Sequence, residues 1–276
     1  MPDIKIIALD LDGTLLNSNK ELSAENYRAL EEAAAQGIEI VPTTGRFYNA
    51  MPQVIRDLPF VNYVITINGA QIYDRRHDAS IFRAEIPLKQ ALQIMEFLDT
   101  LPVIYDCFMG GAAWMTRRLH ELAVEFAPEI HLRKMIQELR TPVPELKAFI
   151  TEQGNDIQKI QFFVKDMQLR ERMLQQLEVM FPETIVSSSA INNVEINNCH
   201  ANKGEALHGL ARYLGVDPGC TIAFGDALND LPLIRSAGIG VAMGNAHPDV
   251  KEIADFVTCS CDEDGVAFGI RKFCLT

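Results

Sequence analysis

Short apolar runs alternate with amphipathic ones along the first seventy residues. Residues 4–9 form an apolar, β-branched run that suits a buried parallel strand. Ser23 then offers a helix N-cap, Tyr27, Leu30, Ala33 and Ala34 recur at helical spacing, and Gly37 closes the stretch. Residues 38–41 read as a second strand, and the spacing predicts a helix over 46–58 and a third strand over 63–67. Helices set between consecutive short apolar strands make βαβ units and a parallel sheet.

Beyond Asn68-Gly69-Ala70 the rhythm changes. Residues 71–73 and 81–86 flank the polar stretch 74–80 as a hairpin would. From 87 to 189 strands and helices mix without alternation. Helices are predicted over 88–101, 117–126 and 169–181, and strands over 103–108, 159–164, 184–186 and 193–196. Gly110-Gly111 reads as a turn, and 142–144 and 154–156 as loops. The βαβ rhythm then returns, with helices over 203–214, 228–237, 248–254 and 265–273 and strands over 221–224 and 239–242. The expected fold class is therefore α/β: a Rossmann-like, three-layer parallel-sheet core built from 1–84 and 190–276, interrupted by an inserted α+β domain at 85–189.

Composition narrows the choice of partner. The 276 residues are 48% hydrophobic and 22% charged, ordinary for a globular protein. A net charge of −12 argues against nucleic acid and against an anionic membrane, since both need a basic face. A small anionic substrate stays open, because a bound divalent cation inverts the local field. No run of about 18 apolar residues occurs, and the first residues have no signal-peptide architecture. The 6 cysteines are scattered, and only Cys259 and Cys261 are close, which reads as reduced thiols in a cytoplasmic protein.

The chemistry concentrates in four segments. Asp10-Leu11-Asp12-Gly13-Thr14 follows the first strand, and the carboxyl ends of parallel strands are where ligands bind. Two carboxylates one residue apart on extended backbone point the same way and offer hard oxygens to Mg²⁺. Gly13 permits a sharp turn that Thr14 can fix locally. Thr43-Thr44-Gly45-Arg46 offers a hydroxyl and free N–H groups as a phosphate cradle, or equally a plain N-cap and turn, with Arg46 assisting an anion or lying on the surface. Lys203 opens a helix and is either a solvated side chain or a charge neutraliser for a transferring phosphoryl group. Gly225-Asp226-Ala227-Leu228-Asn229-Asp230 is a second acidic loop after a strand, able to converge with the first on one cation or to serve as an N-cap cluster. The histidines (77, 120, 131, 200, 208 and 247) show no metal-binding spacing, and neither a Walker A sequence nor G-x-G-x-x-G is present.

In this order the segments resemble the haloacid dehalogenase-like hydrolase superfamily, in its Cof-type branch with an α+β cap between the second and third motifs. The resemblance is carried by D-L-D-G-T-L-L at 10–16, T-G-R at 44–46, N-G-A at 68–70, N-K-G at 202–204, G-D-A-L-N-D at 225–230 and G-V-A-M-G-N-A at 240–246. One departure is visible in Asn197-Asn198-Cys199-His200-Ala201-Asn202, where relatives commonly carry a smaller residue such as Ser before the lysine. The resemblance implies an Mg²⁺-dependent phosphatase acting on small phosphorylated metabolites: sugar phosphates, nucleotides or phosphorylated cofactors. Asp10 would be the nucleophile and Asp12 the general acid/base. Asp10, Asp226 and the backbone carbonyl of Asp12 would bind the metal, with Asp230 behind them. Leu11, Thr44, Gly45, Lys203 and Asn229 would hold the phosphate. A cap would exclude water and choose the leaving group, with Phe108, Trp114 and Arg117 reading equally as core or as substrate contacts. The alternatives are a phosphomutase with the same nucleophile and a metabolite-binding module without turnover. Oligomeric state stays open.

Overall fold

The computed structural model describes residues 3–126, 130–188 and 192–275. The chain forms two compact units, Met1–Arg83 with Asn202–Thr276, and Ala84–Ala201. In the first unit the elements run β1 (Ile6–Leu9), α1 (Ala24–Ala35), β2 (Glu39–Pro42), α2 (Gln53–Arg56), β3 (Tyr63–Thr66), β4 (Gln71–Asp74) and β5 (Ala79–Arg83). The second unit supplies α3 (Leu88–Leu98), β6 (Val103–Met109), β7 (Ala112–Thr116), α4 (Arg117–Phe126), α5 (Ile130–Leu139), β8 (Arg140–Val143) and α6 (Leu146–Gln153). It continues with β9 (Lys159–Val164), α7 (Met167–Met180), β10 (Thr184–Ser187) and β11 (Asn193–Asn198). The first unit then resumes with α8 (Lys203–Leu214), β12 (Thr221–Gly225), α9 (Leu231–Ser236), β13 (Ile239–Ala242), α10 (Pro248–Ile253), β14 (Phe256–Val257) and α11 (Gly265–Phe273).

The first unit is a parallel sheet in the order β14-β13-β12-β1-β2. A parallel bridge between Thr43 and Ile65 carries it on to β3, which β4 and β5 join antiparallel. Every residue of β1 is buried, and the strand's two faces feed different cores. Ile7 and Leu9 pack with α1 and α11 residues such as Leu30 and Ile270, whereas Ile6 and Ala8 pack with Leu207 and Leu210 of α8. That division makes the three layers. Ser23 caps α1 as the sequence indicates, its hydroxyl accepting from the Asn26 N–H at 3.0 Å.

In the second unit a sheet of order β10-β11-β9-β6-β7-β8 buries one face under α3, α6 and α7, with Cys107, Phe162 and Ile196 against Ile94, Ile150 and Leu177. Trp114 belongs to this core, ring against Phe149 at 4.6 Å. On the other face Ile104 and Phe163 pack with Ala123 of α4 and Ile136 of α5. Beyond them the face turns polar while staying buried. Arg140 reaches Asp106 at 2.9 Å and Lys159 reaches Glu195 at 3.0 Å, with both cations over the Phe108 ring. Phe108 is thus buried, and Arg117 is exposed.

Several expectations are corrected. The helix expected over 46–58 is broken into a 3₁₀ turn at Tyr48–Ala50 and α2, because Pro52 has no N–H and holds Met51 extended at φ −70°, ψ 146°. Likewise the helix over 228–237 opens as a 3₁₀ turn, Leu228–Asp230, before α9. Pro142 lies within β8 instead of a loop; β8 is an edge strand, where a missing N–H costs no ladder bond. The boundary expected between 189 and 190 falls outside the described residues. The inserted unit nevertheless extends to Ala201, since β11 pairs antiparallel with β9 and β10. No helix among the described residues is long and apolar enough to cross a membrane.

At the tip of β3 the backbone is left-handed at Ile67, Asn68 and Gly69 (φ 54°, 56° and 98°). This turn rests against the start of α8: a Cβ on Gly69 would come within 2.3 Å of the Asn202 carbonyl oxygen. Gly69→Ala is expected to cost more than about 2 kcal/mol, through the clash added to the left-handed backbone. Chemical denaturation measures it, and a loss under about 0.5 kcal/mol would contradict the packing described.

Candidate active site

Sheet register brings the two acidic loops together. Leu9 lies opposite Phe224, and the Asp10 N–H donates to the Phe224 carbonyl at 3.0 Å, so β1 and β12 end side by side. Asp10 therefore leaves β1 next to Asp226, which leaves β12. The Thr14 hydroxyl does not close its own turn as expected; it donates to Asp226 Oδ1 at 2.7 Å and ties the loops to each other. Asn245 holds the first loop from another side, its amide donating to the Gly13 carbonyl at 2.8 Å while its Oδ1 accepts from the Cys261 N–H.

Lys203 is the first residue of α8, with Asn202 as N-cap accepting from the Glu205 N–H at 2.9 Å. Its side chain is fully buried, which rules out the solvated alternative, and Nζ lies 2.6 Å from both Asp10 Oδ1 and Asp230 Oδ1. Asp230 Oδ2 accepts from the N–H groups of Asp226 and Ala227, each at 2.9 Å. Asp230 therefore braces both Lys203 and the start of the Asp226 loop. Oδ2 of Asp10 and Oδ2 of Asp226 accept no hydrogen bond among the described residues.

Asp10, Asp226 and Asp230 each offer an oxygen, and these lie within 4.8 Å of one another. Three carboxylates gather around one ammonium in a mostly buried space, an excess of negative charge among these four groups. Burial pushes the Asp10 carboxyl well above its ordinary range; Lys203 opposes this, and the charges of Asp230 and Asp226 reinforce it. Burial, with the Asp230 charge, also pushes Asp226 up to about 6 despite its bond from Thr14. For Lys203 burial works against the charge, but Asp10 and Asp230 outweigh it and hold the ammonium above its ordinary value. Hard oxygens with surplus negative charge fit a divalent cation such as Mg²⁺.

The other predicted residues gather around a neighbouring loop pair. The Thr44 hydroxyl accepts from the Arg46 N–H at 3.2 Å, and the Thr44 carbonyl accepts from the Asn68 N–H at 3.0 Å. The hydroxyl's own proton stays available to a ligand oxygen. Asn68 Oδ1 accepts from the Asn229 amide at 3.2 Å and sits against Gly45, where a Cβ would come within 2.7 Å of it. Asn68 thus connects Gly45 to Asn229, a role sequence reasoning did not assign; its signal was the N-G-A motif. Leu11 is fully buried in the core, so only its backbone can meet a ligand.

Asp12 stands apart from the cluster. Arg46 grips it with a two-pronged contact, Nε to Oδ2 at 2.9 Å and Nη2 to Oδ1 at 3.0 Å, and Lys20 adds a third at 3.1 Å. Burial alone would raise this carboxyl, but the bonds and charges of Arg46 and Lys20 hold it below its ordinary value.

A parallel α/β core thus presents an acidic cluster and a buried lysine at the carboxyl ends of adjacent strands, a set of groups suited to a cation and an anionic ligand. The haloacid dehalogenase-like hydrolase family matches residues 7–270. Phosphatase YwpJ of Bacillus subtilis is 33% identical, over 96% of this chain and 98% of its own. The 5-amino-6-(5-phospho-D-ribitylamino)uracil phosphatase YcsE of the same organism is 32% identical, over 99% and 97%. A solved haloacid dehalogenase-like hydrolase from B. subtilis superposes with a TM-score of 0.84 at 32% identity, over 98% of this chain and 100% of its own. The chain belongs to the haloacid dehalogenase-like hydrolase family and is a phosphatase of that family.

The raised Asp226 gives a signed pH dependence. Between the ordinary 3.8 and about 6 the folded chain binds more protons here than the unfolded one, so stability falls as pH rises through that window. In metal-free buffer, Asp226→Asn should flatten this part of the pH profile of the unfolding midpoint. Parallel profiles for the variant and the parent would contradict the charge crowding described.

Proposed function

We propose that this chain is a Mg²⁺-dependent phosphomonoesterase that passes through an aspartyl-phosphate on Asp10. The observation that carries the reading is the contact of buried Lys203 with Asp10 at 2.6 Å, which orients the carboxylate and leaves Oδ2 free to attack. In the first step Asp10 Oδ2 forms a bond to phosphorus. The bond to the leaving oxygen breaks, and that oxygen keeps the electron pair and takes a proton from Asp12. In the second step water attacks phosphorus as Asp12 takes its proton, and the bond to Asp10 breaks with its electron pair returning to the carboxylate. The products are an alcohol and inorganic phosphate.

Lys203 neutralises the charge of the phosphoryl group in flight, while the Thr44 hydroxyl, the N–H groups around Leu11 and Gly45, and the Asn229 amide hold its oxygens. Asp10, Asp226 and the Asp12 carbonyl would hold Mg²⁺, which when bound would screen the phosphate from the attacking carboxylate and clamp developing charge. The inserted unit would serve as the cap. The substrates would be small phosphorylated metabolites, and the names of two relatives make a phosphorylated ribitylaminouracil one member of the panel to try. The six free cysteines are in keeping with a cytoplasmic setting.

Asp10→Asn is expected to lower turnover by at least about a thousandfold, and activity retained within about tenfold would exclude Asp10 as nucleophile. Chelation should abolish turnover and added Mg²⁺ restore it; indifference to chelator would remove the metal from the reading. A phosphate-release screen over phosphorylated metabolites separates hydrolysis from transfer, since isomerised phosphate without free phosphate would make the chain a mutase.

A further inference from the structure

The sequence reads Arg46 as an anion helper or a surface residue, and it is not among the groups assigned to the phosphate. Yet its guanidinium is one of the most firmly placed groups near the site. Nη1 donates to the Ala50 carbonyl at 3.1 Å, so the third corner of the fork is anchored while the other two grip Asp12. Its backbone is anchored as well, the N–H donating to the Thr44 hydroxyl and the carbonyl accepting from Ile67 at 3.0 Å. Three of the four anchoring partners, Thr44, Ala50 and Ile67, are buried. The fourth is Asp12, whose side chain is 32% exposed.

A planar guanidinium making two parallel bonds fixes both the place and the plane of a carboxylate, which a point charge cannot do. Lys20 contributes one contact from a side chain that is 45% exposed, and so charge without direction. We propose that Arg46 is the positioning residue for the acid/base, setting the carboxylate plane of Asp12 so that its oxygen meets the leaving group and then the attacking water. This rests on the reading of Asp12 as acid/base given above. Arg46 does not contact the reacting atoms; it acts through Asp12.

The test separates the two ideas by leaving group. An alkoxide must be protonated as it departs, whereas 4-nitrophenolate leaves as an anion, so a defect in proton donation shows on alkyl phosphates and spares 4-nitrophenyl phosphate. kcat/KM, which covers the chain only through departure of the leaving group, is measured with Mg²⁺ on the best alkyl phosphate and on 4-nitrophenyl phosphate. The proteins are the parent, Asp12→Asn, Arg46→Gln and Arg46→Lys. Asp12→Asn should lose about a hundredfold or more on the alkyl ester and far less on the aryl ester. Arg46→Gln should show the same selectivity at about tenfold or more, a fraction of the whole acid contribution. Arg46→Lys, which keeps the charge and loses the fork, should recover only part of it and serves if Arg46→Gln does not fold.

Equal losses on both esters would make Arg46 a structural or phosphate-holding residue and overturn the proposal. Unchanged or raised activity on the alkyl ester would overturn it too, showing a restraint on Asp12 instead of an aid. Full recovery in Arg46→Lys would show that charge suffices and the fork does not matter. If Asp12→Asn itself lacks leaving-group selectivity, the acid/base reading fails first and the proposal falls with it. If Asp12→Asn is selective and Arg46→Gln is not, only the proposal fails.

Discussion

A buried ammonium can persist only where anions surround it, and here two carboxylates 2.6 Å away do so. Lys203 cannot move without stranding Asp10 or Asp230, and Asp230 cannot move without releasing the N–H groups at the start of the Asp226 loop. One cation thus joins the end of β1, the end of β12 and the first turn of α8, which sequence separates by 193 residues between Asp10 and Lys203. The surplus carboxylate charge left over is the physical reason for a cation-hungry site. Stability and function pull against each other, as expected where like charges are crowded to hold an ion.

Much of this was legible from residue order. Isolated acidic residues after apolar runs locate strand ends, and parallel pairing then makes two such ends neighbours without further information. Lys203 was ambiguous, because a lysine at a helix start is exposed unless distant carboxylates surround it, and distance along the chain hides that. Thr14 was assigned to its own turn for the same reason: local bonds are visible in sequence, and its true partner Asp226 is 212 residues away. Asn68 lacks a visible role because its contacts with Gly45 and Asn229 depend on three consecutive left-handed residues, and Arg46 because its partner Asp12 is 34 residues away. Asn68 and Gly69 favour such backbone, but nothing in the sequence announces it at Ile67.

The fold shows the same division. Alternating units were read correctly, because each carries its own periodicity and caps. Misreadings came where one residue overrides a pattern: Pro52 breaks an amphipathic helix, and Pro142 is tolerated because β8 is an edge. The inserted unit's α5 and α6, and strands β7 and β8, went unpredicted, since short elements around polar buried groups lack a clean apolar stripe. Asp106, Arg140, Lys159 and Glu195 look like surface residues in the sequence and are buried as ion pairs on a sheet face.

The central place of β12 has a consequence for how the chain is made. β1 pairs with β12 on one side and β2 on the other, with Ile6 opposite Thr221, so the sheet's middle lacks a strand until most of the chain has left the ribosome. The inserted unit draws on one continuous stretch, Ala84–Ala201, and its pairings close earlier in synthesis. The β12-facing edge of β1 therefore stays unpaired until residues 221–225 have been made. All four residues of β1 are buried in the folded chain, so in that interval its apolar side chains and its backbone edge are both uncovered.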